Sequence, residues 1–514
     1  MGRGEATRRI VLVWLLLTAV SSALLLRAAL DPPPGTVFVG TFYYADDFYN
    51  YLSYVQQAED GALVFRNKLA APHLPPSLVN LEWLGVGWAS VLLGGRPLVA
   101  YRLFGLLATL AFVALVDRWL ARAGMLPGRR LTGLVLVFTG GGAGGLLVAM
   151  GVLAPRHALD LRAGLFPFVE VLANPHFVAG TVLLLAALLA FAGQRPVAGV
   201  LLGSALGLVR PYETAVLIVV VAFAVLYGRP RREWPRRLAP LLGLAPVLAW
   251  NAWLFFVSPG FRAFSSARYA ALAPGWWELA LAIGPAAFVA LVTVRRLPDD
   301  DEDARRHRLF LTVWAVIGLV VGLARPVPFS LQLLVGIGVP LLGLAAVGLS
   351  SVRRGALESA VVLFAGTSLF AVSLASSAGP PWHVPEARWE VARALRPACR
   401  AGDVVLAPPD VGLYVGGLTA CWPFVSHGAA SDFDERDRAA RRFYSDEPGA
   451  WRSAFLDGSC VRFVVLPAGD PAAREGWSAR DDGFRALPDA VAANPGVGVL
   501  ARDVLPPACG DLGQ

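Results

Sequence analysis

The segment IVLVWLLLTAVSSALLL (10–26), followed after a short connection by TFYYADDFYNYLSYVQQAEDG (41–61), decides how this chain is read. The first stretch, extended to residue 30, approaches the ~20 residues of helix that cross a bilayer. The second places two adjacent carboxylates, Asp46 and Asp47, among aromatic side chains at the edge of that span. MGRGEATRR precedes the span, and its arginines put the start on the cytoplasmic side by the positive-inside bias. The same stretch imitates a secretory signal. Its apolar run is long for one, however, and DPPPGTVF makes a poor cleavage site, so a retained first helix is expected.

Outward from there the pattern repeats. The chain has 514 residues and is 56% hydrophobic, with many apolar runs long enough to span a membrane. Its formal charge of +8 does not point to nucleic acid, because the arginines cluster in short loops between apolar runs. Lys68 is the only lysine, which reads as genomic composition bias. Placing the basic loops inside gives crossings at about 10–30, 98–117, 131–153, 177–192, 196–209, 213–228, 238–257, 275–294, 308–323, 329–350 and 357–377. The segment LVNLEWLGVGWASVLLGG (78–95) is short, carries Glu82 and would invert every later basic loop if it crossed. It is expected to be re-entrant or interfacial.

The sequence therefore predicts a mainly α polytopic membrane protein with about 11 transmembrane helices, over 1–378, and a small extracytoplasmic α/β domain over 379–514. Outer loops are expected at 31–77 and 154–177, and five of the six histidines fall on the outer side. After residue 379 short apolar strands (DVVLAP, CVRFVVLP) alternate with amphipathic helices (EARWEVARALR, DERDRAARRFYS), the pattern of a small α/β layer. All four cysteines, Cys399, Cys421, Cys460 and Cys509, lie here. Two disulfides or four buried thiols both fit that count.

Two readings compete for the acid pair. In one, the tyrosines form an interfacial belt and the aspartates cap the helix that runs on through YLSYVQQAEDG. In the other, one aspartate is a general base that deprotonates an acceptor as it attacks a sugar's anomeric carbon. Other side chains suit an anionic ligand or a second acidic group. Arg210 stands at a proline break beside Glu213, and Arg325 lies in the ARPVPFS connection. Lys68 and His73 share the loop of the acids, and Asp160 and Arg162 lie in the second outer loop. The plain alternatives are an Arg210–Glu213 pair closing a turn, a snorkelling Arg325, and ordinary loop residues. Asn174 with Pro175 reads as a helix start. His157 and His176 match no standard zinc spacing. GGGAGG (140–145) has no following Lys-Ser/Thr, so it reads as close helix packing rather than a phosphate loop. Asp432 and Asp434 read as a cap and a solvated face.

A cytoplasmic start, one helix and then a large outer loop with acids near the membrane resembles the GT-C superfamily of membrane glycosyltransferases. That superfamily includes the protein O-mannosyltransferases and the lipid A aminoarabinose transferase. KLAAPHLPP (68–76) resembles the Pro-rich end of the same loop, and DVVLAPPDVGLYVGGLTACWPFVSHG resembles the outer α/β domain of bacterial members. The resemblance implies a polyprenyl-phosphate-linked sugar donor in the bilayer and a glycan, lipid or protein acceptor outside the bacterial cytoplasmic membrane. It also implies inversion at the anomeric carbon, with Asp47 or Asp46 as base and Arg325 on the carrier phosphate. Metal-dependent oligosaccharyltransferases of this superfamily separate their acids by one residue. Here the acids are adjacent, so no metal and no other cofactor is expected. A flippase of lipid-linked glycan would use the same cations without chemistry, but the internal repeats of transporters are not seen. A non-catalytic glycan-assembly subunit is the third reading.

Overall fold

Proline opens six of the helices, where its missing N–H costs nothing and its fixed φ is already helical. A computed structural model describes residues 3–69, 74–162, 164–262, 274–295, 301–323, 331–352, 355–377, 382–428, 430, 432–445, 449–466, 484–486, 498–502 and 509. In chain order the first helices are α1 (Arg3–Leu30), α2 (Ala45–Glu59), α3 (Leu81–Leu92), α4 (Pro97–Arg122), α5 (Arg130–Thr139), α6 (Gly144–Ala149), α7 (Pro167–Ala173), α8 (Pro175–Ala192), α9 (Pro196–Val209) and α10 (Pro211–Leu226). They are followed by α11 (Trp234–Leu238), α12 (Ala245–Phe256), α13 (Trp276–Val294), α14 (Glu302–Leu323), α15 (Gly338–Ser350), α16 (Ala356–Phe364) and α17 (Gly366–Ser376). The chain forms two compact units. One comprises Met1–Ala28, Tyr101–Trp253 and Ser265–Ser377; the other comprises Ala29–Ala100, Leu254–Phe264 and Ala378–Gln514.

The first unit is helical. Among the described residues of the whole chain, eight helical stretches are long and apolar enough to cross a membrane, from Gly4–Leu30 to Ala356–Ser376. The expected crossings at 196–209 and 213–228 fall on the shorter apolar helices α9 and α10. The expected single helix over 131–153 is corrected: it is α5 and α6, parted at Gly140–Ala143. Backbone donors that a continuous helix would spend internally go to neighbours instead. Gly141 N–H donates to Phe364 O (2.9 Å) and Ala143 N–H to Leu281 O (3.0 Å). A Cβ on Gly142 would stand 2.1 Å from Ala282 O, so the glycine run is the condition for this approach. At one end of α1 the buried Arg9 guanidinium donates twice to Asp117 of α4, at 3.2 and 3.3 Å.

The second unit joins residues 29–100 to the last quarter of the chain. Strand β1 (Thr36–Phe38) pairs antiparallel with β2 (His383–Pro385), Val37 opposite Val384. Beyond β2 come α18 (Glu386–Leu395), β3 (Val404–Leu406), α19 (Pro409–Leu418), β4 (Trp422–Pro423), α20 (Phe433–Phe443), α21 (Gly449–Gly458), β5 (Val461–Leu466), β6 (Phe484–Ala486) and β7 (Gly498–Arg502). The sheet order is β4-β3-β5-β7-β6, parallel from β4 to β5 and antiparallel beyond. Strand alternation sends Val404, Leu406 and Val464 to one core and Val405, Phe463 and Val465 to the other. The cysteines form two disulfides, Cys399–Cys421 and Cys460–Cys509.

Helix α3 has 12 residues and so rises only ~18 Å, too little for a ~30 Å hydrocarbon core. Asn80 caps it, its Oδ1 accepting from Glu82 N–H (3.0 Å) and Trp83 N–H (3.2 Å). It packs on α2, with Trp83 stacked on Tyr51 at 4.6 Å. On another side of α2, Tyr49 donates its hydroxyl to Val39 O (2.8 Å) and meets Tyr414 edge-on at 4.8 Å. There α19 presents Gly417, where a Cβ would lie 2.6 Å from Tyr49 O. Gly417→Ala should therefore lower the thermal midpoint of the purified protein by the equivalent of about 1–3 kcal/mol, the usual cost of overpacking. Gly458→Ala, whose Cβ would meet nothing within 4 Å, should leave it unchanged.

Candidate active site

The acid pair begins a helix whose first turn still has unspent N–H groups. Helix α2 starts at Ala45, and the residue at its N-cap is Tyr44, with φ 52° and ψ 55° and no side-chain cap bond. The capping expectation for the aspartates is thus corrected: both stand inside the first turn. There both lie at the positive end of the helix dipole. A left-handed backbone at a residue with a Cβ costs roughly 1–2 kcal/mol, and here it sits directly before the acids.

The two aspartates differ in surroundings. Asp46 is exposed. Asp47 is 36% exposed, with His427 Nε2 3.9 Å from its Oδ1. Along α2, Asp47, Asn50 and Tyr54 follow at spacings of three and four and share one helix face. The Asn50 Oδ1 and Tyr54 Oη atoms are buried and face each other without completing a hydrogen bond of good geometry; Tyr43 Oη, just before the helix, is likewise buried and unused. Burial holds both phenols well above their ordinary range, so both remain protonated donors. A partly exposed carboxylate beside an imidazole is the kind of group that can accept a proton. No local signal marked His427, which lies 380 residues from Asp47. Asn50 and Tyr54 were findable from their spacing alone.

Lys68 is buried, and its Nζ donates to Thr419 O at 2.8 Å, at the C-terminal end of α19. Next to it Asn67 Nδ2 donates to Gly260 O (2.6 Å), and Leu69 O accepts from Ser426 Oγ (2.5 Å). His73 and Arg325 lie outside the described residues.

Asp160, Arg162 and Arg210 belong to the helical unit, whereas Asp46, Asp47 and Lys68 belong to the other. Asp160 is fully buried and accepts from Thr367 Oγ1 (2.6 Å) and Gly145 N–H (3.0 Å). Arg162 donates to Arg156 O at 3.3 Å. Arg210 donates to Glu213 (2.5 Å) and Gln332 (2.9 Å) and lies over the Phe177 ring at 4.5 Å. Its guanidinium is therefore held on several sides, as in the turn-closing reading. Asn174 caps α8 through His176 N–H (3.0 Å), with Pro175 first in the helix. Asp432 pairs with Arg436 (2.5 Å) and makes no cap bond. Among the described residues no three His, Cys, Asp or Glu side chains converge as metal ligands would.

No protein-family model matches the sequence, and no curated protein matches it. Solved structures do. The arabinofuranosyltransferase AftD from Mycobacteria aligns over 98% of this chain and 40% of its own, at a TM-score of 0.57 and 16% identity. A mutant form of AftD aligns over 98% and 42%, at 0.52 and 16%. The oligosaccharyltransferase of Archaeoglobus fulgidus, tethered with an acceptor peptide, aligns over 89% and 69%, at 0.47 and 13%. The chain spans about two-fifths of the length of the AftD structures it matches.

Lys68 offers a direct titration. Burial pulls its ammonium down to about 7, and the field of Asp60 offsets this only in part. In the unfolded chain the value returns to about 10.4. Between these limits the unfolded state holds more protons, so this residue's contribution to stability rises with pH. Because Lys68 is the only lysine, selective 13C-lysine labelling should give a single Cε resonance titrating near pH 7. The stability advantage of wild type over Lys68→Met should grow from pH 6.5 to 8.5, read as a difference in thermal midpoint. Across nearly its whole length this integral membrane chain has the fold of the arabinofuranosyltransferase AftD from Mycobacteria.

Proposed function

We propose that the protein is a membrane glycosyltransferase that moves a sugar from a polyprenyl-phosphate carrier to an acceptor on the outer side of the bacterial cytoplasmic membrane. The acceptor is a glycan, a lipid or a protein. The observation that carries this reading is Asp47: a half-open carboxylate in a helix first turn, beside His427 and in line with unused hydrogen-bonding groups. The fold shared with AftD supports it.

The reaction is a single displacement. The acceptor oxygen or nitrogen attacks the anomeric carbon, the bond to the carrier phosphate breaks, and the configuration inverts. Asp47 takes the proton that the acceptor loses. The carboxylate stands in the first turn of α2, at the positive end of the helix dipole, with the His427 imidazole 3.9 Å away. The departing phosphate carries the negative charge and needs a cation. Arg210 is already engaged with Glu213 and Gln332, which leaves Arg325 as the better candidate.

Complementation of a strain lacking the gene tests this, with surface and lipid-linked glycans compared by mass spectrometry at matched membrane levels. Asp47→Asn should lower product by about 10²–10⁴, the usual worth of a positioned base. Asp46→Asn should keep most of it, and His427→Ala should shift the pH profile of the purified enzyme while leaving turnover measurable. Full restoration by Asp47→Asn would overturn the base assignment and favour a transport or scaffold role.

A further inference from the structure

A half-open cavity with a mainly apolar lining lies in the unit that carries the acid pair, on the far side of α2. Its volume is about 360 Å³, and Arg96, Arg393, Arg396, Trp389, Leu98 and Val99 line it. On α2 the lining residues are Leu52 and Gln56, five and nine residues after Asp47. At ~100° and ~1.5 Å per residue both fall on the opposite side of the helix from Asp47, and Gln56 lies about 13 Å further along it. A ligand in this cavity would not touch the Asp47 carboxylate.

The lining is mainly apolar, and three arginines supply its cations. Arg393 shares its charge with Glu390 (2.7 Å) and Arg396 lies in the field of Glu59, whereas among the described residues Arg96 has no ion-pair partner within 4 Å. Planar guanidinium groups bind phosphate oxygens in pairs, so these arginines suit a phosphate. The rest of the lining includes aliphatic side chains. Leu98 and Val99 are 42% and 45% exposed, and beside them in sequence α3 turns outward Trp88, Val91 and Leu92, the last 87% exposed.

Arg96 immediately precedes α4, a 26-residue helix apolar enough to span the bilayer. The cavity therefore adjoins the end of a helix able to span the membrane, where the headgroup layer would lie. Snorkelling arginines would stand at such a helix end without a cavity. Here the lining comes from four separate segments, on α2 and at 95–99, 389–396 and 417–418, around a volume of ligand size.

We infer that this cavity binds the headgroup phosphate of an anionic membrane phospholipid, at a site separate from the Asp47 carboxylate. The test uses the full chain carrying Asp47→Asn, so that no turnover contributes, in nanodiscs of phosphatidylcholine with or without phosphatidylglycerol. Native mass spectrometry and the thermal midpoint read binding.

Retained phosphatidylglycerol and a raised midpoint are expected. Arg96→Gln with Arg396→Gln should weaken retention roughly thirtyfold, at about fivefold per basic residue near an anionic surface. The pair Arg96→Lys and Arg396→Lys should keep most of it. Arg441→Gln, on an exposed helix face elsewhere, should change nothing. Equal retention by the double Gln variant would overturn the site. Inorganic phosphate raising the midpoint as much as the lipid does, or polyprenyl phosphate displacing phosphatidylglycerol at equal concentration, would overturn its assignment to a phospholipid. Loss of glycan product in cells by Asp47→Asn alone bears on the catalytic reading and leaves this one standing.

Discussion

Everything proposed for the acid pair depends on one packing arrangement, the enclosure of Tyr49. Its ring is fully buried against Phe48, Trp389 and Tyr414, its hydroxyl is spent on Val39 O, and its backbone lies against Gly417. Edge-to-face aromatic contacts of this kind add about 0.5–1.5 kcal/mol each beyond the area they bury. Their effect here is geometric. They hold α2 by one face; on the face that carries Asp47, Tyr54 is itself buried and stacked on Phe65, and Asp47 is the side chain left about one-third exposed. Without α18 and α19 the helix would keep its packing on α3, where Tyr51 meets Trp83, but lose the enclosure of Tyr49.

In the helical unit, the buried cations Arg9 and Arg210 each have a carboxylate partner, Asp117 and Glu213, which offsets the cost of charge in a low dielectric, while the buried Arg308 donates to Ala123 O. Lys68 has instead a carbonyl and partial loss of its proton, the other route open to a buried ammonium. Asp47 is about one-third exposed, with the His427 imidazole 3.9 Å from its Oδ1.

Much of the architecture was legible because membrane helices announce themselves through length and hydropathy, and short strands through alternation. The 78–95 segment reads as non-crossing from its length, its Glu82 and the charge of the loops after it. The break at 140–143 was not legible, since GGGA in an apolar run scores as span; the break exists because Phe364 and Leu281 offer acceptors that no local pattern shows. The capping role was misplaced by one or two residues because the left-handed turn at Tyr44 has no glycine to mark it.

The sequence by itself determined that the chain lives in a membrane, that its last quarter is an α/β layer, and that two carboxylates stand after the first span. Composition and period decide those things, because burial free energy scales with apolar area wherever it lies along the chain. Only the tertiary structure decided which cysteines join, that His427 meets Asp47, that Arg210 is already engaged, and that arginines of α18 and of the α4 entry enclose a common cavity. These are relations between residues far apart in sequence, and they follow from how distant surfaces pack, which no local pattern records.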